Sequence, residues 1–298
     1  MVRKQAYLIL AHNKPEIFNE LLKSLDLPQH DIYVHIDKAT PIDEFILIKS
    51  SMEFSNVFFL EKRFDIRWGS YEIVRAEMEL LKTARSSCKY SYFHLLSGVD
   101  ALIENKIKIY NYYEANYGIE YIHFWNLDEM RKSKYCDRYN YYDVLLPKKR
   151  NTINKAIYHL LRKFSITLQK IAKIKRNSNI NFYMGSQWFS ITDQFADYLI
   201  SKEKEIEKIF RNTLCPDESF LQTFFMNSYF NKNLIKNMDN DYSKIKRDIE
   251  FISGTPKIWK EDDIDRLLTT SNFFARKFDD WEVVKQISDV LKNEGEGI

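Results

Sequence analysis

Glycine is scarce in this 298-residue chain, which has seven glycines, six prolines and three cysteines. Seven glycines cannot support a glycine-rich linker, a collagen repeat or a loop-heavy secreted scaffold. The cysteines, Cys88, Cys136 and Cys215, are far apart and form no CxxC or CxxH pair. Neither a zinc site nor a disulfide framework is indicated, and reduced thiols in a cytosolic protein are expected. No apolar run approaches the roughly 18 residues of a membrane span. The apolar stretch Ala6–Ala11 behind the basic start has only a strand's length, too short for a signal peptide. The expected location is therefore the cytoplasm, with peripheral attachment to the inner face of the plasma membrane as the closest membrane contact. The chain also lacks GxxxxGK[ST] and GxGxxG, which argues against a P-loop enzyme or a dinucleotide oxidoreductase. No nucleophile elbow, internal repeat or low-complexity tract is present.

What the chain has in quantity is apolar and aromatic: 45% hydrophobic residues, with 21 Phe, 19 Tyr and 5 Trp. With a formal charge of only +3, that composition excludes disorder. A chain of this length buries roughly three quarters of its unfolded surface, enough for one large domain or two modest ones. Residues 1–298 are read as a single unit, with a nucleotide-binding half over 1–125 and an acceptor-binding, catalytic half over 126–298. Strands are expected at Ala6–Ala11, Asp31–Ile36, Asn56–Leu60 and Tyr90–Leu96, with helices at Ile17–Leu25 and Ser70–Ala84 between them. That alternation predicts an α/β fold with a mostly parallel sheet flanked by helices. Ligands of such sheets bind beyond the carboxyl ends of the strands. His12, Asp37 and the Ser97–Asp100 turn should share that rim. Further on, Phe182–Thr192 reads as a turn and strand, and Pro216–Asn227 as one helix. The tyrosines of Tyr110–Tyr121 and Tyr135–Tyr142 are expected to frame an acceptor-binding side.

Residues 148–176 carry ten Lys or Arg and no acid, with Ile153, Ile157, Leu160, Leu161, Phe164, Leu168 and Ile171 near a helical period. Two readings stand side by side. A basic amphipathic helix would rest on an anionic membrane or grip an anionic acceptor; alternatively, its apolar stripe packs on the domain and its charges are solvated. Nucleic-acid binding is not indicated, because the rest of the chain is charge-balanced and lacks a recognised module.

Three constellations can carry chemistry. Asp217 and Glu218 follow Pro216 at an expected helix start, where the helix dipole and free amides would keep carboxylates ionised and let one act as a general base. Read on residues alone, an ordinary acidic helix start is the commoner case. Arg276 and Lys277 lie between Phe274 and Phe278, as fixed cations suited to a diphosphate or as surface charges on a packed segment. Trp188 in Met184–Phe189 offers a ring for a sugar's C–H face, or is simply core. The Asp-x-Asp triplets Asp239-Asn240-Asp241 and Asp263-Ile264-Asp265 come too late for a nucleotide-binding half. Where a metal-binding pair should follow a buried strand, around residues 90–125, there is a lone Asp100.

Taken in order, AYLILAHNKP, IYVHIDKAT, RWGSYEIVRAEMELL, YFHLLSGVDALI, MGSQWFSIT, CPDESFLQT and FFARKFD resemble the core-2/I-branching glycosyltransferases, over about residues 5–280. That family includes β-1,6-N-acetylglucosaminyltransferases and protein O-xylosyltransferases. The resemblance implies a GT-A type fold and an inverting transfer, without an obligatory metal, from a UDP-sugar to a hydroxyl of a glycan or lipid-linked oligosaccharide. N-acetylglucosamine is the first expected donor sugar, with xylose or a hexose as the alternative; a non-catalytic carbohydrate- or membrane-binding protein is the reading of a different class. The catalytic base of the family falls on Glu218. The lysine that neutralises the diphosphate falls on Lys277, beside Arg276, and the second cation best matches Lys257, although Lys260 is near and the spacing differs. Ala11, His12 and Asp37 would hold uridine and ribose, with Arg67, Trp68 and Ser70 as the next nucleotide loop and Asp100 near the donor sugar or the acceptor. Trp188, with Ser186, Gln187 and Asp217, would face the acceptor. The chain departs from the animal members in lacking their membrane anchor and many cysteines. It therefore resembles a bacterial, cytoplasmic relative working on a surface polysaccharide or glycoconjugate.

Overall fold

Successive residues of the first strand feed two different cores. In a computed structural model, described over residues 3–46, 52–126, 128, 130, 137–143, 155–235 and 239–295, β1 spans Lys4–Ala11. Its Ala6, Leu8 and Leu10 enter one apolar cluster, and Tyr7, Ile9 and Ala11 another. That is the period-two alternation of a strand covered on both faces, and it explains why the sequence there is almost wholly apolar.

Around β1 lie β2 (His30–Ile36), β3 (Asn56–Phe59), β4 (Tyr90–Ser97), β5 (Asp100–Leu102), β6 (Tyr121–Ile122) and β7 (Phe189–Thr192). The main sheet has the order β3-β2-β1-β4-β7-β6. Pairings β1–β2, β2–β3 and β1–β4 are parallel, whereas β7 runs antiparallel to β4 and β6. The expected α/β architecture, a mostly parallel sheet flanked by helices, is what the chain adopts. One face is covered by the Pro15–Leu25 helix, through Ile17, Phe18, Leu21, Leu22 and Leu25, with the Trp281–Gly295 helix packed beside it. The Glu72–Ser87 helix covers the other face with Val74, Met78 and Leu81. It starts two residues later than its periodicity suggests, because Ser70 is used to close a turn with Arg67.

A second, three-stranded sheet sits at the edge of the site. It joins β5 to β8 (Arg247–Ile249), the hairpin β9 (Phe251–Ile252) and β10 (Thr255–Pro256) follows β8, and β11 (Phe274–Arg276) lies centrally in the order β5-β11-β8. β11 runs antiparallel to β5 and parallel to β8, which sets Arg276 opposite Asp100. Arg247 is buried, its guanidinium donating to the carbonyls of Ile245, Leu95 and Phe189.

Three sequence expectations change. Pro216–Asn227 is not one helix: Pro216–Glu218 is a short 3₁₀ turn, Ser219 leaves the helical region at φ −149°, and an α-helix resumes over Phe220–Met226. The break is fixed by the Ser219 hydroxyl, which donates to the Tyr183 carbonyl at 2.8 Å. Within Tyr110–Tyr121 the tyrosines do not act together to frame a binding side: Tyr117 is exposed, Tyr110 and Tyr112 are half-buried, and the other two pack inward. Tyr113 and Tyr121 are fully buried in a ring cluster with Tyr92, Tyr112 and Phe273. Tyr139 likewise stacks on Phe182 in the core, while Tyr135, Cys136 and residues 148–154 of the basic segment lie outside the described residues. The third change removes one of the two readings of the basic segment: the apolar stripe of the Lys155–Ile171 helix faces outward and is not packed on the domain. Among the described residues no helix is long and apolar enough to cross a membrane.

Candidate active site

The carboxyl ends of β1, β2 and β4 form one rim. The Asp37 amide donates to the Ala11 carbonyl and the Gly98 amide to the Leu10 carbonyl, both at 2.9 Å, so the three strand ends are tied together. Asp37 is buried, and its carboxylate accepts from the amides of Ala39 and Ile66, each at 2.9 Å. A carboxylate in that position orders two loops at once. One of them leads directly into Arg67–Ser70. His12 is exposed at the rim, and its carbonyl accepts from the Thr40 hydroxyl.

The Arg67–Ser70 turn links this rim to the acidic motif. Gly69 has φ +73°, and a Cβ there would stand 2.6 Å from the Leu214 side chain, so the close approach requires glycine. The Gly69 carbonyl accepts from the Cys215 amide at 3.0 Å, immediately before Pro216-Asp217-Glu218. Trp68, 66% exposed, projects from the turn.

The motif itself is locked to the Met184–Trp188 segment. The Gly185 amide donates to the Glu218 carbonyl at 2.9 Å, and a Cβ on Gly185 would fall 1.8 Å from the His123 carbonyl oxygen. Gln222 donates to the carbonyls of Ser186 and His123, the Ser186 amide donates to His123 Nδ1, and the Trp188 amide donates to the Ser186 hydroxyl. Trp188 is buried, and the Arg276 guanidinium lies 4.3 Å from its ring centroid. Arg276 also pairs with Asp100 at 2.8 Å and with the Ser97 hydroxyl, while Asp100 accepts from the Ser97 amide and hydroxyl. One continuous set of contacts thus joins the strand rim, Arg276 and the turn bearing Glu218.

Lys277 follows on a backbone held at each neighbouring peptide. The Arg276 carbonyl accepts from Trp259 Nε1 and the Lys277 carbonyl from the Trp259 amide; the Lys277 amide donates to Lys257 and the Phe278 amide to Val99. The half-buried Lys277 side chain makes no ion pair among the described residues, so its charge is not already neutralised. Lys257 differs: its ammonium lies 2.6 Å from Asp263, 3.7 Å from Glu250 and over the Trp259 ring. Lys260 pairs with Asp279. Asp263 and Asp241, from the two Asp-x-Asp triplets, are occupied by Lys257 and by the Ser243 amide.

The carboxylates of the motif sit in unfavourable surroundings for charge. Burial and the neighbouring Glu218 push Asp217 up to about 7. Burial also raises Glu218, although the Arg138 guanidinium, which donates to its Oε2 at 3.0 Å, opposes the rise. The expectation that a helix dipole stabilises the charge of both carboxylates is therefore corrected: a three-residue 3₁₀ turn supplies little dipole, and desolvation raises both groups. Behind them, Glu77 on the Glu72–Ser87 helix is completely buried and held well above the carboxylate range by burial and by Asp217; its Oε1 accepts from Gln187 at 2.7 Å.

The core-2/I-branching enzyme family model matches residues 5–248. The chain belongs to that family. This core-2/I-branching family member is 26% identical over 282 residues to the xylosyltransferase oxt of Drosophila pseudoobscura pseudoobscura, covering 88% of this chain and 30% of that protein. It is 22% identical over 278 residues to the xylosyltransferase sqv-6 of Caenorhabditis elegans (87% and 32% covered) and 21% identical over 304 residues to human xylosyltransferase 2 (96% and 33%). The chain thus spans about a third of the length of the curated relatives it matches. Among solved structures, the apo form of mouse xyloside xylosyltransferase 1 aligns at a TM-score of 0.34 and 10% identity, over 76% of this chain and 83% of that one.

Two residues of this family member's site escaped the sequence reading. Arg138, from the Asp137–Asn140 turn of helix, reaches Glu218 across 80 positions, and no local pattern marks it. Glu77 did carry a signal, as an acid among Val74, Ala76, Met78 and Leu80–Leu81 on the buried face of a helix. An acid at such a position is either paired or neutral.

Proposed function

We propose that this family member is an inverting glycosyltransferase with a GT-A type fold, moving a sugar from a UDP-sugar to a hydroxyl of a glycan acceptor. The observation that carries the reading is the contact network joining the strand rim, Arg276–Lys277 and Glu218, because such a reaction needs nucleotide, diphosphate and base in fixed relation. Ala11, His12 and Asp37 form the nucleoside end, with Arg67, Trp68 and Ser70 beside it. Lys277 supplies the charge that meets the diphosphate. Arg276, aligned by Asp100 and the Trp188 ring, supports it, and Lys257 holds the Lys277 backbone from its own carbonyl. Two fixed cations can stabilise a departing diphosphate without a divalent ion.

Glu218 acts as the general base. Its carboxylate takes the proton of the acceptor hydroxyl as that oxygen bonds to the anomeric carbon, and the bond from that carbon to the UDP oxygen breaks on the opposite face. Arg138 keeps Glu218 oriented and favours its charged form. Gln187 and Asp217 border the acceptor's approach, with Ser186 and Trp188, buried behind them, shaping it from below. The acceptor class that suits this chain is a bacterial polysaccharide or glycoconjugate. N-acetylglucosamine is the leading donor sugar. The names of the relatives above favour xylose as a second reading.

Release of UDP from a panel of UDP-sugars, with and without EDTA, tests this. Turnover with UDP-N-acetylglucosamine that survives chelation is expected; turnover only with UDP-xylose selects the second reading, and loss of turnover with EDTA ends the metal-independent one. Lys277→Ala should weaken UDP binding at least about tenfold, as loss of a charge-assisted contact implies. Absence of any UDP affinity at millimolar nucleotide would make the chain a binding protein instead.

A further inference from the structure

The Lys155–Ile171 helix is turned inside out relative to a core-packing helix. Its polar residues face the protein: the Tyr158 hydroxyl donates to Asp143, Arg162 pairs with the same carboxylate, and Gln169 exchanges hydrogen bonds with the Tyr142 backbone at 2.8 and 2.9 Å. Lys170 pairs with Asp137. Its apolar residues Ile157, Leu160, Phe164, Leu168 and Ile171 face outward at 52%, 68%, 61%, 48% and 73% exposure. Their spacing of three, four, four and three makes one stripe, along a helix roughly 25 Å long. Exposed Lys163, Lys173 and Lys175 accompany the stripe, and the sequence has no acid anywhere in 148–176.

We infer that this helix lies in the surface of an anionic lipid bilayer, with the apolar stripe in the acyl boundary and the lysines against the headgroups. A continuous apolar face with basic flanks and no acidic residue complements negatively charged lipid. The stripe covers one side only, so the helix lies along the surface. Its place in the fold gives this contact a purpose. Tyr158 packs with Leu214 and Cys215, directly before Pro216–Glu218, and Arg176 beyond the helix donates to the Tyr139 carbonyl, next to Arg138. Docking therefore brings the Glu218 turn to the bilayer, where the acceptor is a lipid-linked oligosaccharide; this last step rests on the reading of Glu218 as base.

Sedimentation with vesicles of phosphatidylcholine containing roughly 30 mol% phosphatidylglycerol, against pure phosphatidylcholine, tests the docking. Binding to the anionic vesicles that weakens with salt is expected. The triple variant Leu160→Ser, Phe164→Ser, Leu168→Ser should lose at least about tenfold in partitioning, since three buried apolar side chains are removed. UDP release with a soluble acceptor should be unchanged, which shows the variant folded. Equal binding to both vesicles, or a triple variant that partitions like the parent, overturns the inference. So does a dimer in sedimentation equilibrium that the same variant dissolves, which would assign the face to a second copy. Vesicle binding by a chain without UDP turnover would leave the docking standing and remove the catalytic reading.

Discussion

Asp26 is buried and Asp217 half-buried, yet their surroundings treat the charge in opposite ways. Asp26, just after the Pro15–Leu25 helix, accepts from the amides of Glu53, Phe54 and Ser55 at 2.8, 3.0 and 2.7 Å. Burial alone would raise it, but the three amides outweigh burial and hold it below the usual carboxylate range. Asp217 meets burial and the Glu218 charge together and is pushed up to about 7, and Glu77 behind it is likewise held well above the carboxylate range. At Asp26 the fold spends its amides to stabilise a structural charge. At the Pro216–Glu218 turn it leaves carboxylates poorly stabilised, and that is the setting in which a proton can change hands near neutral pH.

The sharpest way to break the contrast is to remove the proposed base. Glu218→Gln should lower transfer by about 10²- to 10⁴-fold, the usual span for a general base, while UDP binding stays within a factor of a few. A variant with full transfer would take Glu218 out of the reaction. Next in size is Arg138→Met, with an expected loss of about tenfold at neutral pH. Arg138 holds Glu218 down against burial, so its removal raises the carboxyl further and moves the acid limb of the kcat profile to higher pH. A reduced rate with an unmoved limb would show that Arg138 supports the turn without acting on the charge.

The same contrast marks how far the sequence could be read. β1, β2 and β4 are near-continuous apolar runs, buried on both faces, and such runs declare themselves. The rim followed from them, because Ala11, Asp37 and Ser97 are simply their last residues or next neighbours. β5, β8 and β11 are three residues each, and only their mutual pairing makes them strands. The ion pair between Arg276 and Asp100, 176 positions apart, was hidden with them. The Lys155–Ile171 stripe was visible as a period, but periodicity cannot say which face meets the protein. Asp143, Tyr142 and Asp137 decide that by binding the polar side. The carboxyl state of Asp217 was misread for a related reason: a Pro-Asp-Glu start suggests a helix dipole, and the break at Ser219 is written in a contact with Tyr183.

The smallest expected effects are on stability, and their signs differ. Asp26 is depressed in the folded protein, so its contribution is present above its unfolded value near 4 and is lost as pH falls through the lower, folded one. Asp26→Asn should therefore cost about 1–2 kcal/mol at pH 7, where charge-assisted bonds are replaced by neutral ones, and the gap should close in acid. Asp217 is raised, so its contribution is present below the unfolded value and is lost as pH rises through about 7. Asp217→Asn, a neutral isostere, should match the parent at pH 4 and gain about 1 kcal/mol above pH 7, as relief of a desolvated like-charged neighbour implies. Thermal melts of the three proteins from pH 4 to 8 give the answer as two difference curves. Curves of the same sign would mean that the Asp217 carboxylate is as well solvated as Asp26 is well bonded, and the two regions would no longer differ in how they treat charge.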